Sequence, residues 1–419
     1  MTSALPRIRH KSTQFFAINI CPNAVLSMGI FLALVFVSYL GRNGVLIFLM
    51  LGLAIQLRRI DLAWRDIRSF WWLCLLPLWA ILSFLWSEHP SLSLRHGTQL
   101  LITFAIAITL ANRLSPLLLM QMLFVALFGA AIASIVIGEV RPDGIWLGIF
   151  ESKNYYAFTM VSLVLCSFAF LIDKNQKFRW RFAGLLGATL GLPQIFMAES
   201  VGAMIAAIFV VMAALALLGI RAIPVARQRQ AIINLGLIIL AVFLIAWLFS
   251  DAFFALVFET TGKDPTLTGR TDLWATAIGE ITSAPLAGSG YRAFWVRGNA
   301  TAEMLWAEFY IGSRSGFNFH NLYLSNAVEV GLVGVFAQIA LLASGFILCS
   351  RWLLRAGGAA PLFFFMVVSF VIVLSFVEVP VFFEFDTLSV MTLAGVVYGL
   401  RASRELPKLY RQRQAVWSD

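Results

Sequence analysis

The sequence predicts an all-α polytopic membrane bundle of about twelve spans, with one long outer loop that contains short helices. Three observations predict it. Hydrophobic residues make up 60% of the 419 residues and charged residues only 12%, with a mean hydropathy of +0.87. Apolar runs recur along nearly the whole chain, and cations and acids divide between alternate connections. A soluble domain is nearer half apolar and a quarter charged. A water-soluble globule of this length has too little interior to hide so much apolar surface. Disorder, which needs low hydrophobicity, is excluded, and so are collagen-like and disulfide-rich compositions.

The elements follow in order. A short basic segment carries Arg7, Arg9 and Lys11. No small-residue cleavage site follows the first apolar run, which reads as a retained helix. A membrane helix needs about 20 apolar residues, fewer where protein shields it. Runs of that kind lie at Ala24–Leu40, Gly44–Leu57, Phe70–Trp86, Gln99–Ala111, Leu117–Ile137 and Tyr155–Ile172. Six more lie at Phe182–Ala198, Val201–Ile220, Ala231–Phe249, Leu322–Cys349, Pro361–Val377 and Thr387–Leu400.

Charge placement orients the runs. With the N-terminus inside and the spans alternating, most of the 31 Lys and Arg fall on the inner side, while most of the 21 acids fall outside or near outer helix ends. Cytoplasmic loops of membrane proteins collect Lys and Arg in this way. Both termini are therefore expected in the cytoplasm. The same pattern accounts for the net charge of +10 without a nucleic-acid partner. Cys21, Cys74, Cys166 and Cys349 all lie in or beside apolar runs, so no disulfide framework is indicated.

One outer segment, Ser250 to Phe319, is far longer than the rest, and loops of such length are usually functional or disordered. It divides the chain into an N-terminal bundle (1–249, about nine spans), the loop (250–319) and C-terminal spans (320–419, about three). Within it, Thr271–Ser283 places Leu273, Trp274, Ala277, Ile278 and Ile281 on one helical face, with Thr271 as the expected cap. Pro285, Gly288 and Gly290 end that helix.

The chemistry-bearing residues concentrate on the outer side. His320 stands where the loop meets the next span, beside Asn321. Imidazole is the usual general base near neutral pH, and it is also a common boundary residue. Arg270, Arg292, Arg297 and Arg314 share its loop, against the positive-inside trend. Guanidinium binds phosphate oxygens bidentately, best at a partly dry site. Lys153 enters a span at Glu151-Ser152-Lys153-Asn154, where it can snorkel, pair with Glu151 or act on a ligand. Glu199 sits at the membrane edge between two spans. Glu329 lies two turns into its helix and needs a partner or a cavity, and Glu378, Glu384 and Asp386 crowd the last outer loop. An ion pair or a sugar hydroxyl accounts for each of the three. Trp274, Trp295 and Trp306 suit sugar stacking or an interfacial belt. There is no Gly-rich phosphate cradle and no Asp-x-Asp pair for a divalent metal, so a metal-free, cofactor-free reaction is expected.

Four stretches, taken together, resemble the O-antigen ligase and exopolysaccharide polymerase superfamily. They are Gly269-Arg270-Thr271-Asp272-Leu273-Trp274, Pro285-Leu286-Ala287-Gly288-Ser289-Gly290-Tyr291-Arg292-Ala293-Phe294-Trp295, His320-Asn321-Leu322-Tyr323-Leu324 and Glu329-Val330-Gly331-Leu332-Val333-Gly334. Gly148-Ile149-Phe150 and Lys153-Asn154 resemble an earlier outer motif of the same family. Each motif is weak alone; their order around one long loop gives the resemblance its weight.

The resemblance implies an inverting glycosyltransferase at the periplasmic face of the bacterial inner membrane, acting on a glycan carried by undecaprenyl pyrophosphate. By position, Arg270 would grip the pyrophosphate and His320 would be the base or would orient the acceptor hydroxyl. Arg292, Lys153, Asn321, Asn154 and Tyr291 would contact substrate. The chain departs from the family at Ala198-Glu199-Ser200, where many relatives carry an arginine or a Ser/Thr-rich stretch; Lys153 or Arg292 would substitute for the missing arginine. The Gly-x-Gly-Tyr-x-x-Phe-Trp form leans towards polymerases that join repeat units into exopolysaccharide, with possible links to export machinery. A ligase that delivers glycan to lipid A core shares the motifs. A transporter or lipid flippase is the reading from another class, although its charges would sit nearer the midplane.

Overall fold

The computed structural model describes residues 22–248 and 269–416. Arg7, Arg9, Lys11, Cys21, residues 250–268 of the long connecting segment, and Asp419 lie outside them. The described residues are mostly helical, as expected. In chain order the helices are α1 (Pro22–Val35), α2 (Val37–Leu40), α3 (Arg42–Leu57), α4 (Ile60–Ser69), α5 (Leu75–Leu82), α6 (Pro90–Arg113) and α7 (Pro116–Val136). A two-stranded antiparallel hairpin, β1 (Glu139–Val140) with β2 (Trp146–Gly148), leads into α8 (Lys153–Ile172). Then come α9 (Phe178–Met197), α10 (Val201–Ala222) and α11 (Val225–Leu248). After the undescribed stretch lie α12 (Arg270–Ser283), α13 (Ala300–Glu308), α14 (Leu322–Ala356), α15 (Ala359–Leu374) and α16 (Thr387–Val416).

Within the described residues, each of the apolar runs read from the sequence falls mainly on helical structure. Among the described residues, five helices are long and apolar enough to cross a membrane: α6, α7, α8, α10 and α14. The bent pair Ile60–Ser69 and Trp71–Leu85, at 81°, would make six. Helices α1, α3 and α15 are apolar but shorter. Polar contacts join helices that lie far apart in the chain: Arg113 pairs with Asp66 (3.3 Å), Arg401 donates to the Ala111 carbonyl (3.1 Å), and Asp173 accepts from the Ala359 amide (2.8 Å).

Local sequence sets several helix starts. Ser115 caps α7, and Ser152 caps α8 by accepting from the Tyr155 amide at 3.2 Å. Asn321 caps α14, its Oδ1 accepting from the Tyr323 and Leu324 amides, both at 3.0 Å. The start of α12 differs from expectation. Gly269, not Thr271, is the cap residue, because φ 76° is a left-handed turn that glycine enters without a Cβ penalty. Arg270 is thereby the first helical residue.

Helix α14 is broken at Gly331, where φ is 66°. The break frees backbone groups that the long segment fills. The Ser289 and Gly290 amides donate to the Val328 and Glu329 carbonyls at 2.9 and 2.8 Å, and the Leu332 amide donates to the Pro285 carbonyl at 2.9 Å. The segment 285–290 is thus threaded into the break, which satisfies groups that a helix interruption would otherwise leave unpaired in an apolar setting. A small second core of Leu273, Ala277, Phe294, Leu305, Trp306 and Phe319 holds the rest of the segment together. Trp306 is buried there, Trp295 packs on Phe294, Phe317 and Phe319, and Trp274 donates to the Phe319 carbonyl at 2.8 Å. Packing, rather than sugar stacking, occupies Trp295 and Trp306.

Candidate functional site

The start of α12, the start of α14 and the loop between α15 and α16 meet at one place. The Leu322 amide donates to the Ser375 carbonyl (2.9 Å), and Asn321 Nδ2 donates to the Phe376 carbonyl (3.0 Å), which ties the entry of α14 to the end of α15. Asn321 thus serves as a cap and a tether, with one Nδ2 N–H beyond these bonds. On this frame Glu378 joins the two residues singled out for chemistry. Arg270 Nη2 donates to Glu378 Oε1 at 3.1 Å, and Arg270 Nη1 donates to the Val377 carbonyl at 3.0 Å. His320 Nδ1 lies 3.0 Å from Glu378 Oε2. Against a carboxylate, the ring donates from Nδ1 and keeps Nε2 as an acceptor. Arg270 has five N–H donors, so three remain for a ligand.

The backbone at His320 is strained. Its φ is 48°, in the left-handed region, and its amide is held by Asn318 Oδ1 at 2.7 Å. Strain of this kind clusters at functional sites when the surroundings enforce it. Arg292 (φ 59°) and Glu199 (φ 49°) share the feature.

A second cluster of like design stands on the same loop. Glu384 Oε1 accepts from Arg292 Nη2 at 3.1 Å and lies 2.8 Å from His96 Nδ1. Glu384 Oε2 accepts from the Tyr291 hydroxyl at 3.1 Å. Burial alone would push the Glu384 carboxyl up, but Arg292 and the His96 hydrogen bond outweigh it and hold the carboxyl down at about 2. Burial would likewise lower the Arg292 guanidinium, yet Glu384 more than restores it, so Arg292 stays charged. Arg292 also lies 4.6 Å over the Phe383 ring, and its amide donates to Glu329 Oε2 at 3.1 Å. That amide is the partner Glu329 needs. Asp386 instead caps α16, accepting from the Ser389 amide at 2.6 Å; burial pushes its carboxyl up to about 6 despite that bond.

The second cluster opens on a groove of about 550 Å³ between α1, α3, α6, α8 and α16. His96, Arg95, Glu151, Glu384 and Asp386 lie on it, and its remaining walls are mainly apolar.

A depressed acid pKa stabilises the fold above the unfolded pKa and loses that effect as pH falls through the folded value. Between pH 4.5 and about 2, wild-type thermal stability should therefore fall more steeply than that of Glu384→Gln. Parallel melting curves across that window would contradict the Arg292–Glu384–His96 coupling.

Lys153 and Asn154 meet neither cluster directly. Lys153 Nζ donates to the Glu199 carbonyl at 3.4 Å rather than pairing with Glu151, and Asn154 Oδ1 accepts from the Ser200 hydroxyl at 3.0 Å. Both thus pack on the turn between α9 and α10. That turn approaches the Arg270 site, since a Cβ on Gly202 would lie 3.5 Å from Val377. His96 escapes a reading by motif because 288 residues separate it from Glu384. The only local signal is its place beside Arg95 near the start of α6.

Residues 186–339 match the O-antigen ligase family. The chain is 32% identical over 288 residues to the exopolysaccharide production protein ExoQ of Rhizobium meliloti (strain 1021), a match that covers 66% of this chain and 65% of that protein. The matched segment takes in Arg270, Arg292 and His320 with the broken helix that positions them. Residues 186–339 thus resemble the O-antigen ligase family, and the chain spans less than two thirds of the length of the relative it matches.

Proposed function

We propose that this protein is a metal-independent, inverting glycosyltransferase that joins undecaprenyl-pyrophosphate-linked repeat units into exopolysaccharide at the periplasmic face of the inner membrane. Twelve crossings with both termini in the cytoplasm would put Arg270 and His320 on that face. One observation carries the reading: Glu378 holds a guanidinium and an imidazole on the two oxygens of one carboxylate. The likeness to an exopolysaccharide production protein supports the polymerase form, and the family match supports the ligase form, in which lipid A core replaces the acceptor glycan.

The chemistry divides between the two side chains. The donor sugar is already activated by its pyrophosphate. His320 Nε2 takes the proton from the acceptor hydroxyl as its oxygen attacks the anomeric carbon. The new glycosidic C–O bond forms as the bond to the pyrophosphate oxygen breaks, with inversion at that carbon. Undecaprenyl pyrophosphate leaves, its growing charge met by the unused donors of Arg270. Glu378 stabilises the imidazolium formed on His320 and fixes the direction of Arg270. Lys153, held at the Glu199 turn, supplies a cation where many relatives carry an arginine. No metal or nucleotide enters these steps.

Arg270→Ala is expected to stop glycan extension while the protein stays in the membrane. Arg270→Lys should recover only a small part of the activity, because an ammonium cannot span Glu378 and a phosphate in one plane. Measuring polymer length in membranes with matched protein levels tests this, and normal chain growth in Arg270→Ala would remove the residue from the site.

A further inference from the structure

We infer that the Arg292–Glu384–His96 cluster is a second polar subsite, which seats the sugar–pyrophosphate junction of the acceptor glycan, with its polyprenyl chain in the adjoining groove. The inference rests on the transfer reading above and assigns the acceptor's place within it.

The two clusters are built alike. In each, a carboxylate from the loop between α15 and α16 bridges an arginine of the long segment and the Nδ1 of a histidine. Each histidine thereby keeps Nε2 for another partner. They differ in what lies beneath. His96 and Glu384 line the groove, whose polar rim combines the guanidinium groups of Arg42 and Arg95 with the carboxylates of Glu151, Glu384 and Asp386. A rim of mixed sign offers donors and acceptors together, as sugar hydroxyls and a phosphate require. The wall below it is formed by side chains such as Leu34, Val45, Leu127, Phe158 and Met391. Polar rim over apolar depth fits an amphiphile with a single chain.

The spacing also fits. Glu378 and Glu384 are six residues apart, so their Cα atoms are no more than about 22 Å apart even in extended chain. An acceptor attacks through the sugar farthest from its own lipid. Its anchor must therefore sit one oligosaccharide away from His320, beside the donor rather than on top of it. Two anchors on one loop meet that requirement. A groove for one chain also favours an acceptor on a polyprenyl carrier over the many-chained lipid A.

The test uses the purified full-length protein in nanodiscs and a polyprenyl-pyrophosphoryl disaccharide with a diazirine near the head of its lipid. Labelled peptides are mapped by mass spectrometry, and initial rates are measured against acceptor and donor separately. Wild-type labelling is expected on peptides of α1, α8 and α16. His96→Ala should lower it roughly tenfold, the loss of one charge-assisted hydrogen bond, and raise the acceptor KM with little change in the donor KM. Ser162→Phe, which fills the groove from its wall, should do the same, whereas His320→Ala should keep the label. Groove labelling that persists in both His96→Ala and Ser162→Phe, or is missing from an active wild-type protein, overturns the inference. A labelled groove in a protein with no transfer activity would support the subsite and count against the transfer reading instead.

Discussion

His320→Ala is expected to lower sugar transfer by about a hundred- to ten-thousand-fold, the range of one positioned general base. The protein should remain in the membrane at normal levels. The imidazole is a quarter exposed, and the cap of α14 belongs to Asn321. Glu378→Gln should fall in the same range for a different reason. The amide keeps the shape of the bridge between Arg270 and His320 but loses the charge that stabilises the imidazolium and sets its tautomer. Rates on a lipid-linked substrate, normalised to membrane protein, check both. A Glu378→Gln variant with wild-type rates would show that the carboxylate only fastens the loop.

Gly331→Ala is expected to have the largest effect on the fold. A Cβ at Gly331 would overlap the Leu286 carbonyl, and φ 66° is costly for any residue with a side chain. Strain and clash together should cost at least about 2 kcal/mol, and the threaded segment 285–290 should lift out of the break in α14. Gly288→Ala attacks the same junction from the other side, where its Cβ would lie 2.6 Å from the Glu329 carbonyl carbon. Gly219 offers the control. It lies within α10 with no atom within 4 Å of its Cβ position, so Gly219→Ala should be neutral or slightly stabilising. Thermal unfolding in detergent, with hydrogen exchange over residues 285–292, reads out all three. An unshifted midpoint for Gly331→Ala would refute the account of the junction.

The helices were legible because apolar runs, serine and asparagine caps and basic helix ends are local signals. Ser152 before α8 and Asn321 before α14 act within three residues of themselves. The break at Gly331 was not legible. Val330-Gly331-Leu332-Val333 reads as ordinary span, and only the Pro285–Gly290 segment, some forty residues upstream, explains why the helix opens there. Glu378, Glu384 and Asp386 stand close together in sequence and looked alike. Structure gives them three tasks: a bridge to Arg270 and His320, a bridge to Arg292 and His96, and a helix cap. Thr271 is not the cap because Gly269 turns left-handed (φ 76°) and Arg270 is already the first helical residue, which leaves Thr271 inside α12. The span count is the least local of the readings: short apolar helices such as α1, α3 and α15 owe their place to neighbours rather than to length.

The most direct test of the central claim is a reconstituted reaction. Purified protein, a chemically defined undecaprenyl-pyrophosphate-linked repeat unit and a metal chelator are combined, and both glycan length and free undecaprenyl pyrophosphate are followed. The account predicts a ladder of longer glycans, one carrier released for each bond formed, and neither product with His320→Ala. Carrier release without longer glycans, or an unchanged ladder from His320→Ala, would contradict it.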